Sequence, residues 1–125
     1  MAYAGIQTML LSYKMQKADT EFHLASVTAK YTAKTRESDN LNEELQKAKN
    51  AVSYDDPNYA ARLEYIDNQY SLKLADVADW EEKLQQEMNN DQVEIKQLDG
   101  YIESWTAALQ TNVTKTHTYG PNASG

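Results

Sequence analysis

Apolar residues recur along this chain at steps of three and four, in two long runs separated by one break. The second run is the more regular. Leu63, Ile66, Tyr70, Leu74, Val77, Leu84, Met88, Ile95, Leu98, Ile102, Trp105 and Leu109 form it. From Val77 to Leu109 these positions hold a heptad a/d frame, with Glu81 and Asp91 as polar interruptions. The stretch from Tyr70 through Leu74 to Val77 carries one extra step of four, a stutter that locally unwinds a supercoil. A stripe this narrow predicts a coiled-coil seam and not a helix sunk in a globule.

The first run is weaker. Ile6, Met9 and Tyr13 start it, Leu24, Val27 and Tyr31 continue it, and Leu41, Leu45, Ala48 and Val52 finish it. Thr20, Lys34 and Ser38 sit at seam positions and make its middle polar. Asn40 with Glu43 has the form of a restart cap. The stripe nevertheless resumes in register at Leu41, which favours one continuous helix. Two stretches are candidate kinks: 38–40, and 89–100, which holds Asn89, Asn90 and Gly100. An interior glycine costs about 1 kcal/mol relative to alanine. Gly100 is read either as a tolerated surface glycine or as a hinge or close-packing point.

The break is Ser53-Tyr54-Asp55-Asp56-Pro57-Asn58. An aspartate before a proline is a helix-start signal. Its carboxylate accepts from orphan N–H groups, and proline is preset for the first helical position. Pro57 also pushes Asp56 out of the α region and so stops a helix arriving from upstream. The expected fold is therefore all-α: a long antiparallel two-helix coiled-coil hairpin. Arm one covers about 5–52, the turn 53–57 (Asp55, Asp56 and Pro57 at its centre) and arm two about 57–111. With a short turn centred on Asp55, paired positions add to roughly 110. Leu45 then faces Tyr65, and, within a residue, Tyr31 faces Trp80 and Tyr13 faces Leu98. Residues 112–125 carry no stripe, contain Gly120-Pro121, and are expected to form a loose tail.

Composition adds limits. The chain is 41% hydrophobic, too apolar for a disordered polyelectrolyte. Its net charge of −7 disfavours a nucleic-acid surface, which needs clustered Lys and Arg. The first arm, residues 5–52, holds seven basic and six acidic residues, and the remainder five and thirteen. That split is read either as solubility or as an acidic strip that selects a partner. No run reaches the length of a membrane span. The N-terminal stretch lacks the form of a signal peptide, so a cytoplasmic protein, or one exported without a cleaved signal, is expected.

Catalytic chemistry finds little support. There is no cysteine. Neither His23 nor His117 has a glutamate three residues before it, so the paired ligands of bundle di-iron sites are missing. No zinc-protease helix, phosphate-cradling glycine loop or nucleophile elbow occurs. The expectation is a non-enzymatic protein without cofactor or metal, acting through helical surfaces.

Off-seam apolar residues, namely Leu10 and Leu11 beside Met9, Leu72 beside Leu74, Trp80 beside Val77 and Tyr101 beside Ile102, widen the stripe. They suggest a further partner: other copies of the chain, in a bundle or filament, or another helical protein that the hairpin serves as adaptor or export chaperone. The layout around Asp55-Asp56-Pro57-Asn58, with Tyr59 to Leu63 following, resembles the helical-hairpin subunits of type III secretion needles and related extracellular filaments. That resemblance implies a secreted, self-assembling structural subunit. The chain is longer than such subunits, and its turn lacks the first proline of their double-proline turn.

Overall fold

The structure, a computed structural model, describes the backbone of residues 2–123 and the side chains of residues 4–113. Two helices account for it: α1 (Ala2–Asn50) and α2 (Tyr59–Ala123), an all-α helical hairpin. Helical hydrogen bonding runs unbroken through 38–40 in α1 and through 89–100 in α2.

Local chemistry explains how so polar a chain stays helical. Thr8, Thr20, Thr32 and Thr35 are β-branched, yet each hydroxyl donates to the carbonyl four residues back, at 3.0–3.1 Å. These bonds satisfy the hydroxyls without drawing the backbone out of the helix. Lys47 and Lys49 lie in the last turn of α1, where the helix dipole favours cations. Past Asn50 the chain tightens, with the Val52 N–H donating to the Lys49 carbonyl at 3.2 Å. Asp56 then caps α2. Its Oδ1 accepts from the Asn58 N–H at 2.8 Å, and its other carboxylate oxygen lies 3.2 Å from Arg62 Nε. Pro57 follows as the first position after the cap, where its missing donor costs nothing. Asp55 takes no part in capping: it is exposed, and its N–H meets Ser53 Oγ at 3.3 Å.

The expected loose tail is corrected. The backbone of α2 continues helical to Ala123 and does not end at 111. A missing apolar stripe says that a segment has nothing to pack on, not that it leaves the helix. From an existing helix each further ordinary residue, here those up to Tyr119, costs only a few tenths of a kcal/mol, because nucleation is already done. No glycine or proline intervenes before Gly120.

Contacts fall into two compact units, each a helix pair. The first joins Met1–Ala25 with Asn89–Gly125, and the second is Ser26–Met88. In the first unit the covered positions of α1 are Ile6, Leu10, Tyr13, Lys17, Thr20 and Leu24, stepping strictly by four and three. Their counterparts on α2 are Leu109, Trp105, Ile102, Leu98, Ile95 and Asp91. Position by position, these add to 115. Tyr13 stacks near Tyr101, with ring centroids 5.3 Å apart. Leu98 is buried opposite Lys17, whose aliphatic stem can cover it while the amine stays wet.

Within the second unit the same relation holds. Val27, Tyr31, Lys34, Ser38, Leu41, Leu45 and Val52 mirror Met88, Leu84, Glu81, Val77, Leu74, Tyr70 and Leu63. The expected stutter does not interrupt the seam. Ala48 and Asp67 continue the four-and-three stepping on both helices, and Lys49 and Ile66 beside them are half-buried as well, so this layer is wider but keeps the heptad phase.

Two expectations change here. Leu10, and not Met9, occupies the seam near the open end: Leu10 is 5% exposed and Met9 37%. The register is 115 and not 110, a slip of more than one helical turn. Tyr31 lies opposite Leu84 and not Trp80, Tyr13 opposite Ile102 and not Leu98, and Leu45 opposite Tyr70 and not Tyr65. The cause is the turn. Val52, Asp56 and Tyr59 are all half-buried, so the incoming loop continues the seam past the end of α1. The chain reverses at Pro57-Asn58, later than Asp55.

A β-carbon built on Gly100 meets nothing within 4 Å, and no residue has a positive φ among the described residues. Gly100→Ala is therefore expected to stabilise the fold by about 0.5–1 kcal/mol, seen as a higher urea midpoint at unchanged slope. Leu84 is 5% exposed in mid-seam. Leu84→Asp should abolish cooperative folding at 25 °C, since lost packing of about 2–5 kcal/mol combines with a buried, unpaired charge. A full far-UV helical signal for that variant would contradict the seam.

Candidate functional site

All sixteen apolar positions expected to form the seam or interaction stripe are buried or half-buried in the structure. Leu24, Val27, Tyr31, Leu41, Leu45, Leu63, Ile66, Tyr70, Val77, Leu84, Met88, Ile95, Leu98, Ile102, Trp105 and Leu109 are therefore engaged within the hairpin. They cannot also be its free docking face. The surfaces left for a partner lie elsewhere.

Charge across the seam has a consistent polarity. Lys17 Nζ lies 2.6 Å from Asp99 Oδ1, His23 Nδ1 2.6 Å from Asp91 Oδ2, and Lys49 Nζ 2.7 Å from Asp67 Oδ1. In every case α1 supplies the basic group and α2 the carboxylate. The hydrogen bond to Asp99 holds the Lys17 amine above its ordinary value of 10.5. Part of the uneven charge between the arms is thus spent inside the molecule, on pairing them. Asp91 is the buried member, at 8% exposure, and His23 reaches it from a largely exposed position. Such a polar seam position fixes register at a cost in stability. Thr20, also buried, needs no partner across the seam because its hydroxyl is bonded to the Gln16 carbonyl.

At the turn, Tyr54 and Tyr59 lie with ring centroids 5.1 Å apart. Desolvation, and secondarily Tyr54, push the Tyr59 phenol up from its ordinary 10.0. Beside them an open depression of about 450 Å³ is lined by Val52, Asn58, Ala61, Arg62, Tyr65 and Ile66. Tyr65 and, two turns on, Leu72 are both strongly exposed. No group of three metal-ligating side chains occurs among the described residues. Nor is any helix there long and apolar enough to cross a membrane.

A long uncharged stripe lies on the outer face of α1. Ala4, Thr8, Leu11, Met15, Ala18, Phe22 and Ala25 step by four and three, and all are exposed. None is charged. At 3.6 residues per turn this second stripe lies roughly 150° around α1 from the seam. Leu11 and Met15 are each 60% exposed and Phe22 79%. Thr8 fits because its hydroxyl is turned back onto the Ala4 carbonyl. An open depression between the two helix turns here is lined by Thr8, Leu11, Ser12, Met15, Gln16 and Asp19. Reading the chain for one stripe misses this face. Its signal is a second heptad of uncharged residues interleaved with the first, with alanines at three of seven positions.

No protein-family model, curated protein or solved structure matches this chain.

Replacing Asp91 tests whether its buried carboxylate trades stability for register. Asp91→Leu, opposite Leu24, is expected to raise unfolding free energy by about 1–3 kcal/mol, since a well-packed hydrophobe outperforms a buried carboxylate whose one cross-seam partner is an exposed histidine. His23→Ala should lower it by about 1–3 kcal/mol by leaving the carboxylate buried without its donor. Urea titrations of both variants read the two signs directly.

Proposed function

We propose that this hairpin is a non-catalytic building block that acts by associating with further copies of itself, as the subunit of a bundle or filament. One observation carries the reading. The seam uses one face of α1, yet a second uncharged heptad stripe stays uncovered on the other, with Leu11, Met15 and Phe22 at 60–79% exposure. Contiguous exposed apolar surface of this kind marks an interaction site on a water-soluble chain. Its heptad spacing is the spacing that another helix reads.

The choice of self-association rests on economy. A two-helix seam buries one stripe per helix and is thin for its length. Only Ile6, Leu10, Val27, Val77, Leu84 and Leu98 are buried apolar residues among those described. Further copies would cover the second stripe and thicken the core at once. The resemblance to secretion-needle subunits suggests the filament form, with export as its setting. Against this stands an adaptor or export chaperone that holds the same stripe open for a different helical protein.

Size-exclusion chromatography with light scattering, over about 1–200 µM (the range in which modest interfaces populate), separates the two. Mass that rises with concentration is expected. A monomer at every concentration would overturn self-association and favour the adaptor.

A further inference from the structure

We infer that the outer stripe of α1 pairs with the same stripe of a second copy, antiparallel, about a two-fold axis passing between Gln16 and Lys17. This deepens the self-association reading and rests on it. The argument begins with shape. In that register Leu11 faces Phe22 of the other copy, Met15 faces Ala18, and Thr8 faces Ala25, each layer repeated by the symmetry. A large side chain thus meets the alanine in the central layers. The exposed Phe22 ring meets the depression lined by Thr8, Leu11, Ser12, Met15, Gln16 and Asp19. A parallel pairing would set Ala18 on Ala18 and Phe22 on Phe22, leaving a void in one layer and crowding in another.

Charge is compatible with the same arrangement. Lys14 and Glu21 flank the stripe on one side, one heptad apart. In an antiparallel pair the flanking positions of that side meet each other, so Lys14 meets Glu21 of the second copy, twice. Lys14 is exposed and makes no ion pair among the described residues, while Glu21 is held only by a 3.6 Å contact with Lys17. On the other flank Ser12 meets Asp19, with no like charges opposed. Parallel pairing would set Lys14 beside Asp19 and Glu21 beside Ser26, one opposite-charge contact per flank as well, so shape and not charge decides the orientation.

Area points to a small interface. With about 150–250 Å² for an aromatic side chain and somewhat less for Leu and Met, the exposed fractions of Leu11, Met15 and Phe22 give roughly 350–400 Å² per copy, or about 700–800 Å² in all. The exposed Ala4, Thr8, Ala18 and Ala25 and the flanking Lys14 and Glu21 bring the pair toward the lower edge of specific interfaces, at about 1,200 Å². A weak, concentration-dependent dimer is expected. Since α2 lies nearly opposite this face within its own unit, it does not obstruct the second copy.

The chain has no cysteine, so introduced thiols report geometry cleanly. Met15→Cys and Ala18→Cys chains are mixed and oxidised. Antiparallel pairing gives predominantly the mixed Met15→Cys/Ala18→Cys disulfide, whereas homodisulfides of each would overturn the orientation. Phe22→Glu should weaken dimerisation at least tenfold with the helical signal unchanged, because Phe22 supports nothing within the hairpin. Lys14→Glu should weaken it several-fold, and Lys14→Glu with Glu21→Lys should restore it. If the wild-type chain associates and Phe22→Glu associates equally well, this face is wrong while self-association stands. If the wild-type chain is monomeric throughout, both fall.

Discussion

Every layer of this hairpin depends on two heptad stripes meeting in one register, in which opposed positions add to 115. The register distributes polar residues so that few of them meet each other. Thr20 lies opposite Ile95, Lys17 opposite Leu98, Ser38 opposite Val77 and Asp91 opposite Leu24. Only the Lys34 and Glu81 layer is polar on both sides, and there the charges are opposite. A slip by one heptad in either direction would break these pairings, and the cross-seam pairs of Lys17, His23 and Lys49 would be lost with them. Apolar area drives the association of the helices, and the polar positions select which association is formed.

The turn follows from the same constraint. Asp56 caps α2 in the manner its sequence announces, yet the place where the chain reverses is decided by packing. Val52, Asp56 and Tyr59 are drawn toward the seam, so the loop extends it by a further layer.

What remains after the seam is closed is the outer face of α1. Leu11, Met15 and Phe22 there are 60–79% exposed, in a chain whose mean hydropathy is −0.77. Leu11, Met15 and Phe22, set among alanines and flanked by Lys14 and Glu21, have the spacing of a second seam, which is why we propose that another copy covers them.

Periodicity is a local property, and the sequence by itself determined what periodicity can carry: two helices, the break at Asp56-Pro57, the sixteen seam residues, and the absence of a need for any break at 38–40. The stutter expected between Tyr70 and Val77 is absent, because Asp67, a polar residue that an apolar reading skips, fills the heptad position. The choice of Leu10 over Met9 was beyond periodicity, because both are apolar and only the angle at which α2 approaches decides between them. Register was beyond it as well: a slip of one turn leaves every apolar residue on the same face, so the pattern alone is nearly indifferent to it. The polar pairs and the path of the loop remove that indifference, and they exist only once the two helices are in contact. The second stripe was written in the residues throughout, but tertiary structure alone could show that α2 leaves it uncovered, since one helix can press on only one side of another.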